Sequence, residues 1–509
     1  MQGERPCAAP RSVITMGQRP AQERIEALTT ARTQLVHERT PTSRAWRERS
    51  LRSLPLGVPS SFQDSPPYPI FFERGQGSHV WDVDGNEYAD YHNGFGVMCV
   101  GHAHPKIVGA ISERAATGTH FAQPVAETTL LAEEICQRFQ LDQMRFTNSG
   151  TEATMDAIRL ARGATGRDKI AKVEGSYHGH HESVLVSIRP SRDDMGPRER
   201  PASVAFGKGT PAGVTDLTLV VPYNDAEALD RLLAAHAGEV AALIMEPVMM
   251  NVGIIDPLPG YLEAVRDVCT RHGVLLIWDE VKTGATIAHG GAEEVFGVAP
   301  DLKCFAKAVG GGVPIGAFGG RGELMEEIAK DGVPQLGTFN GNPLSARVGL
   351  VALTEVLTHD AYKELNRLND AQLAGCQRVI DGYGLPVYTT GMGAKGAVMY
   401  APSPLKDYRE YAGFDAPGVD ADLSYLSWLY EVTEGVFMTP GIDEQWTLSV
   451  QHTDADVARY VRAFETFASE VTGRVEVDLP EAPAGAGQGL PDGPARPGEG
   501  GARLSGLPR

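Results

Sequence analysis

The chain has 509 residues, 42% of them hydrophobic and 22% charged, with a net charge of −19 at pH 7. That length allows two or three domains with sizeable cores, and the negative balance, without a basic stripe, argues against a nucleic-acid partner. No apolar run reaches the ~18–20 residues of a membrane span. Residues 1–17 lack the continuous apolar core of a secretory signal. The six cysteines, at 7, 99, 136, 269, 304 and 376, form no CxxC pair, which fits free thiols in a reducing, cytoplasmic setting.

Residues 1–24 are expected to form an unstructured extension. Met16 is an alternative start, because MGQRPAQERIEALTTARTQLVHER reads as the opening of a helix. In TNSGTEATMDAIRLARGATG (147–166), Ser149 and Glu152 match the S-x-x-E capping box, and Ile158, Leu160 and Ala161 continue a helix. A helix start with Gly150 and Thr151 just behind the cap is a ready anion site, or simply a capped helix. In GSYHGHHES (175–183), His178, His180 and His181 lack the spacing of a common helical zinc site. No metal is expected there, and Tyr177 offers an aromatic face instead.

EVAALIMEP (239–247) and GVLLIWDEV (273–281) are continuous aliphatic runs, as expected of strands buried on both faces. PGYLEAVRDVCTRHG between them places Leu262, Val265, Val268 and Cys269 on one helix face, with Gly273 as its stop. Strand, helix, strand predicts a βαβ unit and a parallel sheet. Ligands of such sheets gather at the carboxyl ends of the strands, where Glu246 and Asp279 fall. A carboxylate there is either a structural ion pair or the holder of a cationic ligand atom.

In CFAKAVGGGVPIGAFGG (304–320), Lys307 precedes the triplet Gly310–Gly312. The order is wrong for a P-loop, and no GxGxxG follows a strand, which removes the dinucleotide reading. A poorly solvated lysine can attack a carbonyl. One ligand accounts for lysine, strand-end aspartate, aromatic face and anion site together. Pyridoxal phosphate has an aldehyde, a ring nitrogen, a flat ring and a phosphate. The glycines would then let the backbone approach the cofactor or a partner subunit. From Asp478 to Arg509, fourteen of thirty-two residues are Pro or Gly, so the tail from 476 onward is expected to be disordered.

These stretches resemble the class III pyridoxal-phosphate aminotransferases of fold type I, in their glutamate-1-semialdehyde aminomutase branch. The likeness is carried by GHAHP (101–105), NSGTEAT (148–154), YHGHH (177–181), EPVMMN (246–251), DEVKTG (279–284), FAKAVGGGVPIGAFGG (305–320) and GTFNGNP (337–343). It implies an α/β fold with a mostly parallel central sheet sandwiched by helices. Residues 101–350 would form the large domain, and 25–100 with 351–475 a small α+β domain. It implies Lys307 as the Schiff-base lysine and Asp279 as partner of the pyridinium nitrogen. Ser149, Gly150 and Thr151 would form the phosphate turn, with Tyr177 and Val281 on the ring faces and His178 and Glu246 close by. Thr338 would reach the phosphate of a neighbouring subunit, which implies a homodimer. The reaction implied is amino transfer between a small amino donor, such as glutamate, and a carbonyl acceptor, with intramolecular aminomutation or epimerisation as alternatives.

The arginine that many relatives use for a substrate carboxylate is missing from LPLGVPSSFQDSPPYPI (54–70), where Ser60 stands about in its place, and Ala285-Thr286 replace an aromatic-Arg pair. An acceptor read by hydroxyl and amide hydrogen bonds is therefore expected, with Asn93, Phe95, Met98 and Glu444 as pocket residues. Otherwise Arg189 or Arg192 would swing in from residues 189–213, where aminomutases carry a mobile gating loop.

Overall fold

A computed structural model describes residues 17–328, 332–439, 445–474 and 477. Its centre is a seven-stranded sheet. In chain order the strands are β1 (Gln143–Thr147), β2 (Lys169–Val173), β3 (Thr218–Val221), β4 (Val240–Met245), β5 (Leu275–Asp279), β6 (Leu302–Phe305) and β7 (Gly316–Gly320). Across the sheet the order is β1-β7-β6-β5-β4-β2-β3. Only β7 runs against its neighbours; β2 to β6 pair in parallel.

The aliphatic runs have no polar alternation because both sheet faces are covered. Ile170, Ala242, Ile244, Ile277 and Leu302 pack on the helix Gly150–Thr165. Their neighbours Ala171, Leu243, Met245, Leu276 and Trp278 point the other way, toward the helices Ala226–Ala235 and Tyr261–His272. Each fully buried aliphatic side chain contributes about 1.5–3 kcal/mol, so a polar residue at these positions would break the layer. The helix Tyr261–His272 ends at Gly273, whose φ of 59° closes it in the left-handed conformation that glycine adopts without cost.

Early and late described segments fold against each other. The helix Gln22–Arg39 begins inside the segment expected to be unstructured; residues 1–16 lie outside the described residues. It packs on Ala421–Thr433, and its Arg32 bridges Glu434 at 2.9 Å and Glu470 at 3.0 Å. The strands Phe72–Gln76, His79–Asp82 and Glu87–Asp90 form an antiparallel set, to which Val436–Phe437 adds in parallel. A three-stranded sheet is built from Tyr388–Met392, Lys395–Met399 and Trp446–Thr447. Of the tail expected to be disordered, only Val477 is described.

No helix among the described residues is long and apolar enough to cross a membrane. The five described cysteines are unpaired, four of them buried. Burial pushes Cys99 up to about 11, so it is a packing residue rather than a nucleophile. Cys7 lies outside the described residues.

Candidate active site

The site is assembled where strands of the sheet give way to turns. After β1, Ser149 caps the helix Gly150–Thr165 by accepting the Glu152 N–H at 3.2 Å. Glu152 returns to Asn148 N–H at 2.6 Å, one residue earlier than the expected capping box would have it. The amides of Gly150 and Thr151 are first-turn groups that a helix cannot satisfy itself. A Cβ on Gly150 would stand 2.9 Å from Val281 Cγ2 and 3.4 Å from Ala306 Cβ. Only glycine leaves that space open.

Beyond β2, Tyr177 donates its backbone N–H to Glu246 Oε1 at 3.3 Å, while Glu246 Oε2 accepts the Met250 N–H at 2.8 Å. His178 Nδ1 lies 2.8 Å from Asp279 Oδ2, and the other Asp279 oxygen accepts the Val281 N–H at 3.0 Å. The last residue of β5 is thus fixed from two sides. Burial and then Asp279 raise the Tyr177 phenol. Lys307 follows β6 with φ of 52°. A non-glycine residue in this region is strained, and such strain gathers at functional turns.

These groups share one cavity of about 230 Å3. Gly150, Thr151, Tyr177, His178, Glu246, Asp279, Val281 and Lys307 line it, together with Phe62, Phe95, Gly179, Asn251, Lys282 and Ala306. Phe95 belongs to a left-handed turn whose φ values run 46°, 61°, 58° and 85° from Asn93 to Gly96. That turn carries its ring to Phe62, 6.1 Å away, and Phe62 meets Tyr177 edge-on at 5.5 Å.

Other expected residues stand elsewhere. Ser149 is the cap and is not on the wall. Asn93 is buried and donates to the carbonyls of Asp90 at 2.9 Å and Thr447 at 2.6 Å, acting as a strut for the turn. Met98 lies against the glycine run, where a Cβ on Gly312 would be 3.0 Å from its sulfur. Gly310 and Gly311 also pack closely inside their own chain. A Cβ on Gly310 would meet Ile315 at 2.7 Å, and one on Gly311 would meet Ala352 at 2.7 Å.

Thr338 is exposed and outside the cavity, between Leu336, 87% exposed, and Phe339, 57% exposed. Glu444 lies outside the described residues. Arg192 donates to the Phe414 carbonyl at 2.9 Å rather than into the cavity. Residues 189–213 are also held by Tyr408 at Pro190 and by Arg409 at Gly196. Of the three histidines, His180 bonds the Thr151 hydroxyl. His181 sits beside Thr154, its pKa driven down to about 3 by burial and then by His178.

Sequence reasoning missed Phe62, Asn251 and Lys282. Phe62 carries no signal in an irregular stretch. Asn251 and Lys282 lie inside EPVMMN and DEVKTG, five and three residues after strand-end acids, a placement that could have marked them.

The donor set fits pyridoxal phosphate. It offers an amine for the aldehyde, a braced carboxylate for the ring nitrogen, and a glycine-floored helix start with a threonine for the phosphate. The wider comparisons agree. Residues 61–401 match the family "Aminotransferase class-III". Glutamate-1-semialdehyde 2,1-aminomutase 2 of Brevibacillus brevis is 38% identical over 415 residues, spanning 81% of this chain and 94% of that protein. The glutamate-1-semialdehyde 2,1-aminomutase of Methanobrevibacter smithii is 40% identical over 420 residues, spanning 82% and 96%. Among solved structures, an omega-transaminase from Sphaerobacter thermophilus superposes with a TM-score of 0.78 at 34% identity, covering 84% of this chain and 97% of that one. A glutamate-1-semialdehyde aminomutase from Pseudomonas aeruginosa gives 0.81 at 26% identity, covering 89% and 100%. The chain belongs to the class III aminotransferases, a pyridoxal-phosphate-dependent family of fold type I.

Proposed function

We propose that this protein is an aminotransferase that moves an amino group from a small amino donor to a carbonyl acceptor in two half-reactions. The observation that carries the reading is that Lys307, Asp279 and the amides of Gly150 and Thr151 converge on one cavity. The bound cofactor supplies an electron sink for the carbanion formed at the substrate carbon. The protein's own groups do the rest. The Lys307 amine would hold the cofactor at its aldehyde carbon and would move the proton at the substrate carbon. Asp279, steadied by His178, keeps the ring nitrogen protonated. The helix start binds the phosphate, and Tyr177 and Val281 confine the ring. Thr338, in its exposed apolar strip, serves the site of a second copy in a homodimer.

Exposure of the holoenzyme to a single amino compound tests this. Conversion should stop after one equivalent and resume when a carbonyl acceptor is added. The curated relatives' names favour a second reading, intramolecular amino transfer. Under that reading, a single substrate turns over continuously. A protein that binds no pyridoxal phosphate, or a Lys307→Ala variant that keeps its turnover, would refute both.

A further inference from the structure

Lys282 lies three residues after Asp279, in the turn that follows β5. Its side chain is buried, with the residue 8% exposed, and it lines the cavity with Lys307. Its ammonium donates to the Met250 carbonyl at 2.6 Å. That carbonyl is also taken by Gln445 Nε2 at 3.0 Å. No ion pair among the described residues includes Lys282, and no second acceptor for its remaining N–H groups is found among them. None of the carboxylates in the adjoining turns is hydrogen-bonded to Lys282, although Glu280 keeps one buried oxygen without a partner. Asp279 is held by His178 and Val281, Glu246 by Tyr177 and Met250, and Glu280 by Thr283 and the Ala292 N–H.

A buried ammonium that meets one shared, neutral oxygen is costly. An ammonium has three donors to place. The missing partner is an anion, and the open side of Lys282 is the cavity. No arginine lines the cavity, and Arg192, one of the loop arginines expected to swing in, is tied to Phe414. Lys282 brings a positive charge to the same cavity by a different route.

We propose that Lys282 is the oxyanion site of this cavity. Its ligand is either the carboxylate of the amino substrate or the phenolic oxygen of the bound cofactor. The inference rests on the function proposed above and names a recognition element for it. Lysine is a point charge without arginine's planar fork, so it accepts an oxyanion at varied angles and selects for charge more than for shape.

The test uses the full chain as wild type, Lys282→Met and Lys282→Arg. In the first arm, the cofactor is removed and binding is measured by equilibrium dialysis with pyridoxal phosphate and with its analogue lacking the phenolic oxygen. In the second, the holoenzymes are titrated with propionate and with propylamine, read by the cofactor's visible absorbance. If the ligand is the phenolic oxygen, Lys282→Met weakens pyridoxal phosphate about ten- to a hundredfold and leaves the analogue unchanged. If it is the substrate carboxylate, Lys282→Met loses a similar factor for propionate but not for propylamine. Lys282→Arg recovers most of either loss. Both ligands within twofold of wild type in Lys282→Met overturn the proposal. Wild type that binds no pyridoxal phosphate overturns the underlying function instead. Should the methionine variant not fold, Lys282→Gln carries the same comparison.

Discussion

Asp279 and Glu431 are both buried carboxylates, 5% and 4% exposed, but they stand in different surroundings. Asp279 ends a central strand, opens onto a cavity, and is braced by an imidazole and a backbone amide. Glu431 lies among the packed C-terminal helices, where its hydrogen-bond partners among the described residues are the hydroxyls of Tyr460 at 3.3 Å and Ser427 at 3.4 Å. Burial pushes its pKa up to about 8, the two hydroxyls offsetting it only in part. At neutral pH it is a neutral acid inside a core. The contrast teaches that burial of an acid is not a functional mark by itself; donors that leave one face open to a cavity are.

Three variants press on that contrast. Asp279→Asn keeps the shape but removes the charge that holds the ring nitrogen protonated. Turnover should fall about 10³-fold, or about 4 kcal/mol, with an unchanged melting temperature. A large stability loss would mean that Asp279 is structural after all.

Glu174 lies between the two extremes. It is buried and gripped by Arg409 through two bonds of 2.8 and 3.0 Å. Burial raises its pKa and Arg409 pulls it back. Arg409→Met leaves that carboxylate uncompensated and should cost about 3 kcal/mol at pH 7. The loss should shrink toward pH 5, as Glu174 takes up a proton. Urea unfolding at both pH values checks the sign.

Glu431→Gln has the smallest expected effect and the opposite sign. The native acid keeps its proton up to about 8, whereas the unfolded one releases it near 4.5. Wild-type stability therefore falls as pH rises through that window, because the native state binds more protons. The neutral amide removes this dependence and should be about 2 kcal/mol more stable than wild type at pH 6. The gap should vanish near pH 4, and activity should be unaltered. Melting curves across the range decide it.

What the sequence made legible follows the same division. Period, run length and a glycine stop located β4, the following helix and β5, since both faces of that sheet had to be apolar. Lys307, Asp279 and the helix start at Gly150 could be read because each is a chemical anomaly beside a regular element. Of the rest of the wall, Phe95 was expected and Phe62 was not. Phe62 and Phe95 come from irregular backbone, and the left-handed turn from Asn93 to Gly96 is set by tertiary struts such as Asn93 to Thr447. Asn93 was expected in the pocket, yet its amide is spent on backbone carbonyls. Lys282 was hidden by its own motif, since nothing local marks which way a turn lysine faces.

The pairing of Val436–Phe437 with Ala89–Asp90 also sets a timetable for making the protein. Ribosomes add about 5–20 residues per second, so the early strand waits roughly 20–70 s for its last neighbour to be synthesised. During that interval the sheet Phe72–Asp90 has an unpaired edge, and the helix Gln22–Arg39 lacks the surface it packs on. The nascent chain is therefore exposed to mispairing and to holding chaperones along this early sheet, and it is released from that hazard only when Val436–Phe437 has been synthesised.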